Sequence, residues 1–343
     1  MQRAPPFRSN MTKPRPEIAT FLEDTPWASA RITLLAGDAS LRRYWRLTLP
    51  HETAVVMDAP PITGETTEPF SIIARHLEGL GYSAPRLQKA NSDTGLILME
   101  DLGDTLFVRN VVSAPHTEAM LYETAVDLLA DLAQRPIPNK APTYDIDTMV
   151  SSAALASQWY AGSDQATDIT DAVQAALEHL SSFPAALALR DFHAENLLWL
   201  PDREGLARVG LLDFQDAMRA PVGYDLISLL YDARRDVSAK LIEPLMHRFA
   251  QASDIPPADL DRACAILGAQ RSLRILGVFA RLSLHFGKPG YVDLIPRVWG
   301  QLEGCLAHPA LGNLAAACHA NLRPPSAGHL NDLRARCGTI PTL

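Results

Sequence analysis

Cysteine is scarce: the 343 residues hold four, and Cys264, Cys305, Cys318 and Cys337 lie far apart with no Cys-x-x-Cys pair. That spacing excludes a zinc knuckle or a disulfide scaffold and leaves the four as reduced, small hydrophobes. A basic excess is also absent, with 31 Lys and Arg against 39 Asp and Glu and a formal net charge of −8. No block of like charge breaks this balance, so neither a nucleic acid nor a membrane surface is indicated as partner. No run of about 20 apolar residues is evident. Met1 to Pro16 is rich in Pro and Arg and has no apolar core, so it does not read as a secretory leader. A cytoplasmic protein with a flexible tail over 1–16 is expected. Repeats and low-complexity blocks are missing as well. What is present is 47% hydrophobic residues, enough to fill a sizeable core in two lobes.

One stretch carries the chemistry, from Leu187 to Ala217. Asp191 and Asn196 stand five apart ahead of an apolar run, Leu197 to Leu200. A Gly-containing turn leads to a second run, Val209 to Leu212, and then to Asp213. If the two runs pair as a hairpin, the residues at its open end meet at one edge. A carboxylate to orient and deprotonate a hydroxyl, with oxygen ligands for a magnesium that bridges phosphates, is the equipment of phosphoryl transfer. An isolated Asp-x-x-x-x-Asn is weak, because both residues are common caps and turn formers. The order of Asp191, Asn196, hairpin, Asp213 and Asp225 is what gives it weight.

Around that stretch the periodicity changes from strand-like to helical. Arg31 to Leu35, Leu41 to Leu49, Ala54 to Asp58 and a run inside Gly95 to Gly103 read as strands, with a short helix at Ile18 to Leu22 and another at Pro69 to Leu80. Gly37, Asp38 and Ser40 form a turn whose small residues let backbone N–H groups approach phosphates, although such turns are ordinarily just hairpins. Arg42 and Arg43 follow; on a strand they face opposite sides, so one of them at most can reach a phosphate. Beyond Gly103 helices take over at Thr117 to Gln134, Thr148 to Trp159, Ile169 to Leu180 and Asp261 to His285. Gln270, Arg271, Arg274 and Arg281 lie on the last, the three arginines sharing one face. The charged run from Tyr231 to Asp236 contains Asp232 and Arg235. The segment from Ala310 onward shows no usable pattern.

As a set these motifs resemble the catalytic segment of the aminoglycoside phosphotransferase-like kinases, relatives of the protein kinases. The resemblance implies an α+β, bilobal protein-kinase-like fold: a strand-rich, nucleotide-binding N-lobe over 17–101 and a helical C-lobe over 102–343 that carries catalysis and binds the sugar. It implies Asp191 as catalytic base, Asn196 and Asp213 as metal ligands, and Asp225 as a brace under the catalytic loop. His193 matches a His common in the family, in a structural or a catalytic role. It also implies that the backbone around Glu100 to Leu102 reads the adenine edge, and that the segment Tyr144 to Tyr160 faces the acceptor. Three family features are missing. Leu189 stands where a His usually opens the loop, Met57 stands where a third-strand Lys is expected, and the position of its partner Glu is taken by Ser71. Because Lys and Glu are lost together, neither charge is stranded, and Arg42 or Arg43 is expected to meet the phosphates.

The likeness narrows further. The runs from Gly37 to Leu47, Met57 to Pro61, Leu98 to Asp104, Leu189 to Leu197, Leu211 to Ala217 and Gln270 to Gly277 are similar to the bacterial cell-wall-recycling sugar kinases. Those enzymes phosphorylate the anomeric hydroxyl of N-acetylmuramate and N-acetylglucosamine, which implies ATP and Mg2+ as cofactors, a small sugar as partner and a monomer. Gln215, Asp216, Asp232 and Arg235 are then expected at the sugar hydroxyls, and Arg271 and Arg274 at the lactyl carboxylate of N-acetylmuramate. Another acceptor such as an aminoglycoside, or a non-catalytic nucleotide-binding module, are the rival readings.

Overall fold

The computed structural model describes residues 13–37, 42–64, 66–163 and 167–341. In chain order the elements are α1 (Pro16–Leu22), β1 (Arg31–Gly37), β2 (Arg43–Thr48), β3 (Thr53–Asp58), α2 (Glu68–Gly79), β4 (Leu87–Asn91), β5 (Leu96–Glu100), α3 (Phe107–Ser113) and α4 (Glu118–Leu132). They continue with α5 (Ile146–Ala153), α6 (Thr167–Glu178), β6 (Ala185–Ala188), β7 (Leu197–Trp199), β8 (Val209–Leu211), β9 (Met218–Pro221) and α7 (Tyr224–Leu230). The last helices are α8 (Ala239–Ala252), α9 (Pro257–Leu284), α10 (Ile295–Leu306), α11 (Gly312–Asn321) and α12 (Ala327–Ala335).

Two compact units result, one of Met1–Phe107 with Leu197–Asp216, the other of Val108–Asn196 with Ala217–Leu343. The first holds an antiparallel sheet in the order β1-β2-β3-β5-β4. Alternation along β2 buries Trp45 and Leu47, and α1 lays Ile18, Phe21 and Leu22 on the same cluster, with Val56, Leu96 and Leu98 beneath. The β7–β8 hairpin belongs to this unit, although a single boundary at 101/102 was expected. Its backbone is the reason: Leu211 N donates to Ser83 O (2.9 Å) and Trp199 N to Thr105 O (2.8 Å).

Arg15, expected to lie in a loose tail, is fixed. Its Nε donates to the fully buried Asp58 Oδ1 (2.8 Å), and its Nη2 donates to Thr94 O (2.8 Å). A charge on β3 therefore has its counter-ion 43 residues earlier in the chain.

The second unit is helical around α9, which fills one continuous core with α5, α6, α10 and the C-terminal helices. Contrary to the reading of the sequence, Pro257–Leu284 is long and apolar enough by composition to cross a membrane, at a mean hydropathy of 1.3. Packing explains the composition, since 89% of its most apolar window is buried within the protein, as a central core helix requires. The helix expected over Thr148 to Trp159 keeps α-geometry only to Ala153 and then opens into a π-turn, Ala156–Ala161. A Cβ on Gly277 of α9 would lie 2.2 Å from the Leu155 carbonyl carbon, so the α9 backbone is pressed against this segment. Wide turns of this kind are common where a helix must yield to a close neighbour or a site. The helices α3, α8, α10, α11 and α12 had no counterpart in the sequence reading.

Candidate active site

In the second unit, β6 pairs with β9 and delivers the chain into the loop from Leu189 to Asn196. Asp225, in the first turn of α7, accepts both backbone N–H groups that open this loop, Leu189 N on Oδ2 and Arg190 N on Oδ1 (2.9 Å). Ser228 Oγ donates to Arg190 O (2.9 Å). Arg190 itself sits at φ 71°, a left-handed conformation that a residue with a Cβ adopts at a cost. The brace on either side of it holds that conformation in place. Burial pushes the Asp225 carboxyl up to about 7, while the two N–H donors pull the other way. Both oxygens act as acceptors, so the form that braces the loop is the carboxylate.

Asp191 follows at once, part-buried, with its carbonyl oxygen accepting from His193 N (3.1 Å) and from Asn196 Nδ2 (2.9 Å). His193 is 3% exposed, and its Nε2 lies 3.0 Å from Arg234 Nη1. Arginine can only donate, so Nε2 accepts and the imidazole proton is assigned to Nδ1. Burial first, and the Arg234 charge second, lower this imidazole to about 4 and keep it neutral at neutral pH. Arg234 is balanced by Glu195 (3.0 Å).

Farther along, Asp232 is buried and its Oδ1 accepts from Arg234 N (2.8 Å). Arg235 is held by Glu118 (2.7 Å) and by the Tyr122 hydroxyl. On α9, Gln270 donates to Met149 O (2.8 Å) and Ser152 Oγ (2.9 Å), locking α5 in place. Arg271, 3% exposed, donates to Tyr231 O (3.0 Å). Arg274 is part-buried, under the electrostatic influence of Tyr224, Tyr144 and Asp191. The Asp191 charge also acts on Arg271, His193 and Asp225, so these groups share one neighbourhood.

In the first unit, the hairpin register sets Leu197 opposite Leu211. Asp213 comes two residues later at φ 57°, a second side chain in the left-handed region. Phe214 stacks on Phe70 of α2 with ring centroids 4.9 Å apart, and Gln215 Nε2 donates to Asp213 Oδ1 (2.7 Å). Gln215 is buried and Asp216 is exposed.

A sequence model described as "Phosphotransferase enzyme family" matches residues 31–264, which include both loops. The chain belongs to that family. Among curated proteins it is similar to the N-acetylmuramate/N-acetylglucosamine kinase of Caulobacter vibrioides, 34% identical over 87% of this chain and 94% of that one. The protein of the same name from Pseudomonas putida is 29% identical, over 90% of this chain and 95% of its own. Among solved structures, a putative aminoglycoside phosphotransferase from Ralstonia eutropha superposes with a TM-score of 0.61 at 11% identity, covering 89% of this chain and 98% of its own. Choline kinase from Streptococcus pneumoniae gives 0.60 at 10%, over 88% and 98%. These two show the fold, the α+β protein-kinase-like fold with a strand-rich N-terminal and a helical C-terminal part.

Within this phosphotransferase the expected nucleotide-binding residues are placed unevenly. Gly37 closes β1 opposite Arg43, whereas Asp38 and Ser40 lie outside the described residues. Arg43 stands opposite Asp58 in the β2–β3 register and shares the face of Trp45 and Leu47; Arg42 precedes β2. Met57 is fully buried, and α2 carries Ser71 and no Glu at that point. Glu100 is held by Arg203 (2.7 Å), and Leu102 is buried. Tyr224 and Ser228 were missed, whereas Arg234 fell within the charged run and Arg190 was noted only as the neighbour of Asp191. The adjacency of Tyr224 to Asp225 and of Arg190 to Asp191 was the available signal, but neither pairing has a spacing rule of its own.

A bound magnesium can be tested against the donors present. Among the described residues no three His, Cys, Asp or Glu gather as a metal cluster. In the helical unit Asn196 turns its Nδ2 to Asp191 O and carries an amide oxygen; in the strand-rich unit Asp213 carries a carboxylate. Each is by itself a hard oxygen donor of the kind magnesium takes together with waters and phosphate oxygens.

Proposed function

We propose that this phosphotransferase moves the γ-phosphoryl group of ATP to the anomeric hydroxyl of an N-acetylated amino sugar, N-acetylmuramate or N-acetylglucosamine. The product is a sugar 1-phosphate, formed in the cytoplasm by a monomer and returned to cell-wall recycling. The observation that carries this reading is the Caulobacter relative at 34% identity over 87% of the chain. The loop that holds Asp191 by Asp225 and Asn196 supports it.

Asp191 takes the hydroxyl proton as the oxygen–phosphorus bond forms and the bond to the ADP oxygen breaks. An anomeric hydroxyl is more acidic than an ordinary alcohol, so holding the carboxylate in line counts for more than its basicity. Asn196 and Asp213 would each offer an oxygen to magnesium, which would supply charge to offset the phosphates. Arg42 supplies the cation that the absent Lys leaves wanting, because the pleat commits Arg43 to the α1 side of the sheet. Backbone groups at Glu100 to Leu102 meet the adenine. Gln215 and Asp216 contact sugar hydroxyls, as does Asp232, whereas Arg235 acts through its clamp on Glu118.

An aminoglycoside acceptor is disfavoured by the two guanidinium groups of α9, Arg271 and Arg274, beside Asp191, since both would repel a polycation. A purely nucleotide-binding role is disfavoured by the intact set of Asp191, Asn196 and Asp213. Phosphorus NMR with magnesium ATP and each sugar tests the reading. A new sugar 1-phosphate resonance is expected, and Asp191→Asn is expected to lower its rate by about 10²–10⁴-fold. Failure to phosphorylate either sugar would sink the proposal.

A further inference from the structure

Alternation along β2 turns Trp45 and Leu47 into the α1 cluster and Arg46 to the opposite face of the sheet. The register sets Arg46 beside Val55 of β3, and Val55 beside Met99 of β5. A long side chain on that row crosses one strand and arrives where β5 has just ended at Glu100. Its Nε lies 2.7 Å from Asp101 Oδ2, and its Nη2 donates to Oδ1 of the same carboxylate (3.0 Å). Nη1 and Nη2 also donate to the two oxygens of Asp104, at 2.7 and 3.0 Å. One guanidinium thus holds both ends of the segment Asp101 to Asp104.

Exposed ion pairs contribute little, because water screens them and long side chains lose freedom. This one differs, since the Asp101 side chain is 4% exposed, that of Arg46 is 20% exposed, and the contact between them is two-pronged. Asp101 Oδ1 also accepts from Gly103 N (3.0 Å), which closes a turn at Gly103, φ 83°. On the near side Glu100 is tied to Arg203 (2.7 Å), and its N–H donates to Arg86 O (2.9 Å). Between these fixed points stands Leu102, 9% exposed, whose N–H meets no acceptor among the described residues. A backbone donor so nearly buried and left unpaired is costly, and a ligand acceptor placed against it removes that cost.

We propose that Arg46, by clamping Asp101 and Asp104, fixes the backbone around Leu102 and so sets the base preference of the enzyme, admitting adenine and rejecting guanine. This rests on the reading of Glu100 to Leu102 as the adenine contact and deepens it. Adenine offers a donor at N6 and an acceptor at N1, whereas guanine offers the opposite, an acceptor at O6 and a donor at N1. A chain that presents an N–H to adenine must turn a peptide over, or slide by one residue, to suit guanine. Held at Asp101, Gly103 and Asp104, it can do neither. Arg46 is a positioning residue in this account, since it acts through the two carboxylates and not on the nucleotide.

The test measures, by calorimetry on the full chain with magnesium, the affinities for ADP, GDP and pyrophosphate in wild type, Arg46→Ala, Arg46→Lys and Asp101→Asn. Wild type is expected to favour ADP over GDP by about 100-fold, the worth of two mispaired hydrogen bonds. In Arg46→Ala that ratio is expected to shrink by about 10-fold through weaker ADP binding, with GDP and pyrophosphate unmoved. Arg46→Lys restores part of it, because a single ammonium cannot fork onto both carboxylates. Asp101→Asn keeps the shape and an acceptor for Gly103 N, and is expected to match Arg46→Ala; it carries the test should the alanine variant not fold. A wild type that binds GDP as tightly as ADP overturns the inference. Equal losses on ADP, GDP and pyrophosphate overturn it in favour of a role at the phosphates, and so does an ADP-to-GDP ratio that the variants leave unchanged. A wild type that binds ADP no more tightly than pyrophosphate overturns the adenine reading itself, and the inference with it. No sugar is present, so the identity of the acceptor does not enter the result.

Discussion

Arg190 and Asp213 are left-handed residues beside the two loops, and their strain has different supports. At Arg190 the support is Asp225, which takes two backbone donors at once. Asn at 225 would keep one oxygen and turn an NH2 group toward the other donor. Asp225→Asn is therefore expected to cost about 1–3 kcal/mol of stability in a denaturant titration. Through displacement of Asp191 it should lower kcat by about 10²-fold, with less change in the KM for ATP. A variant with normal kcat would show that the brace does not set the position of the carboxylate. The placement of Asp191 and Asn196 on one loop, of Asp213 after a hairpin and of Asp225 under the loop was legible because it follows contiguous spacing. Arg15 on Asp58 was not, since no local pattern links residues 43 apart, and the loss of the usual Lys drew attention to Arg42 and Arg43.

Among the elements, α9 shows what periodicity can and cannot reveal. The sequence marked a long helix at Asp261 to His285 and placed its arginines on one face, and its role as the central core helix came from the structure. The spacing could not show which contacts lie on that face. Gln270 and Gly277 both meet the segment from Met149 to Leu155, one by hydrogen bonds and the other by having no side chain. The π-turn after α5 is the response of the opposing chain, and it is invisible in composition. Gly277→Ala would put a Cβ 2.2–2.4 Å from backbone and side-chain atoms of Leu155, which must move. The expected loss is about 1–3 kcal/mol, read from the denaturation midpoint. Gly304→Ala on α10, where a Cβ meets nothing within 4 Å, is the control and should be neutral or stabilising by about 0.4–1 kcal/mol. Equal effects at the two positions would mean that the close approach is not what the glycine serves.

For the whole molecule, the chain passes from one unit to the other at residues 107/108, 196/197 and 216/217. The strand-rich and helical character of the two parts could be read from the change in periodicity. The return of the hairpin to the first unit could not, because Leu197 to Leu200 and Val209 to Leu212 advertise only each other. Hydrogen exchange can follow this division. A cavity in the first unit's core, Leu98→Ala, is expected to speed exchange at Trp199 and Leu211 and to leave Ile227 in α7 little changed. Hairpin amides that keep pace with Ile227 instead would contradict the division.

The turn from Pro201 to Gly205 has a consequence of another kind. A nick there would give two peptides, the first with β1–β7 and residues 108–196, the second with β8 and residues 217–343. Each unit would then be divided between both pieces: the cluster under the sheet would stay with the first, but the core around α9 would be parted from α5 and α6. Such a split enzyme would be silent in halves and would regain its shape only by joint reassembly, which makes this hairpin turn a seam for a two-component reporter.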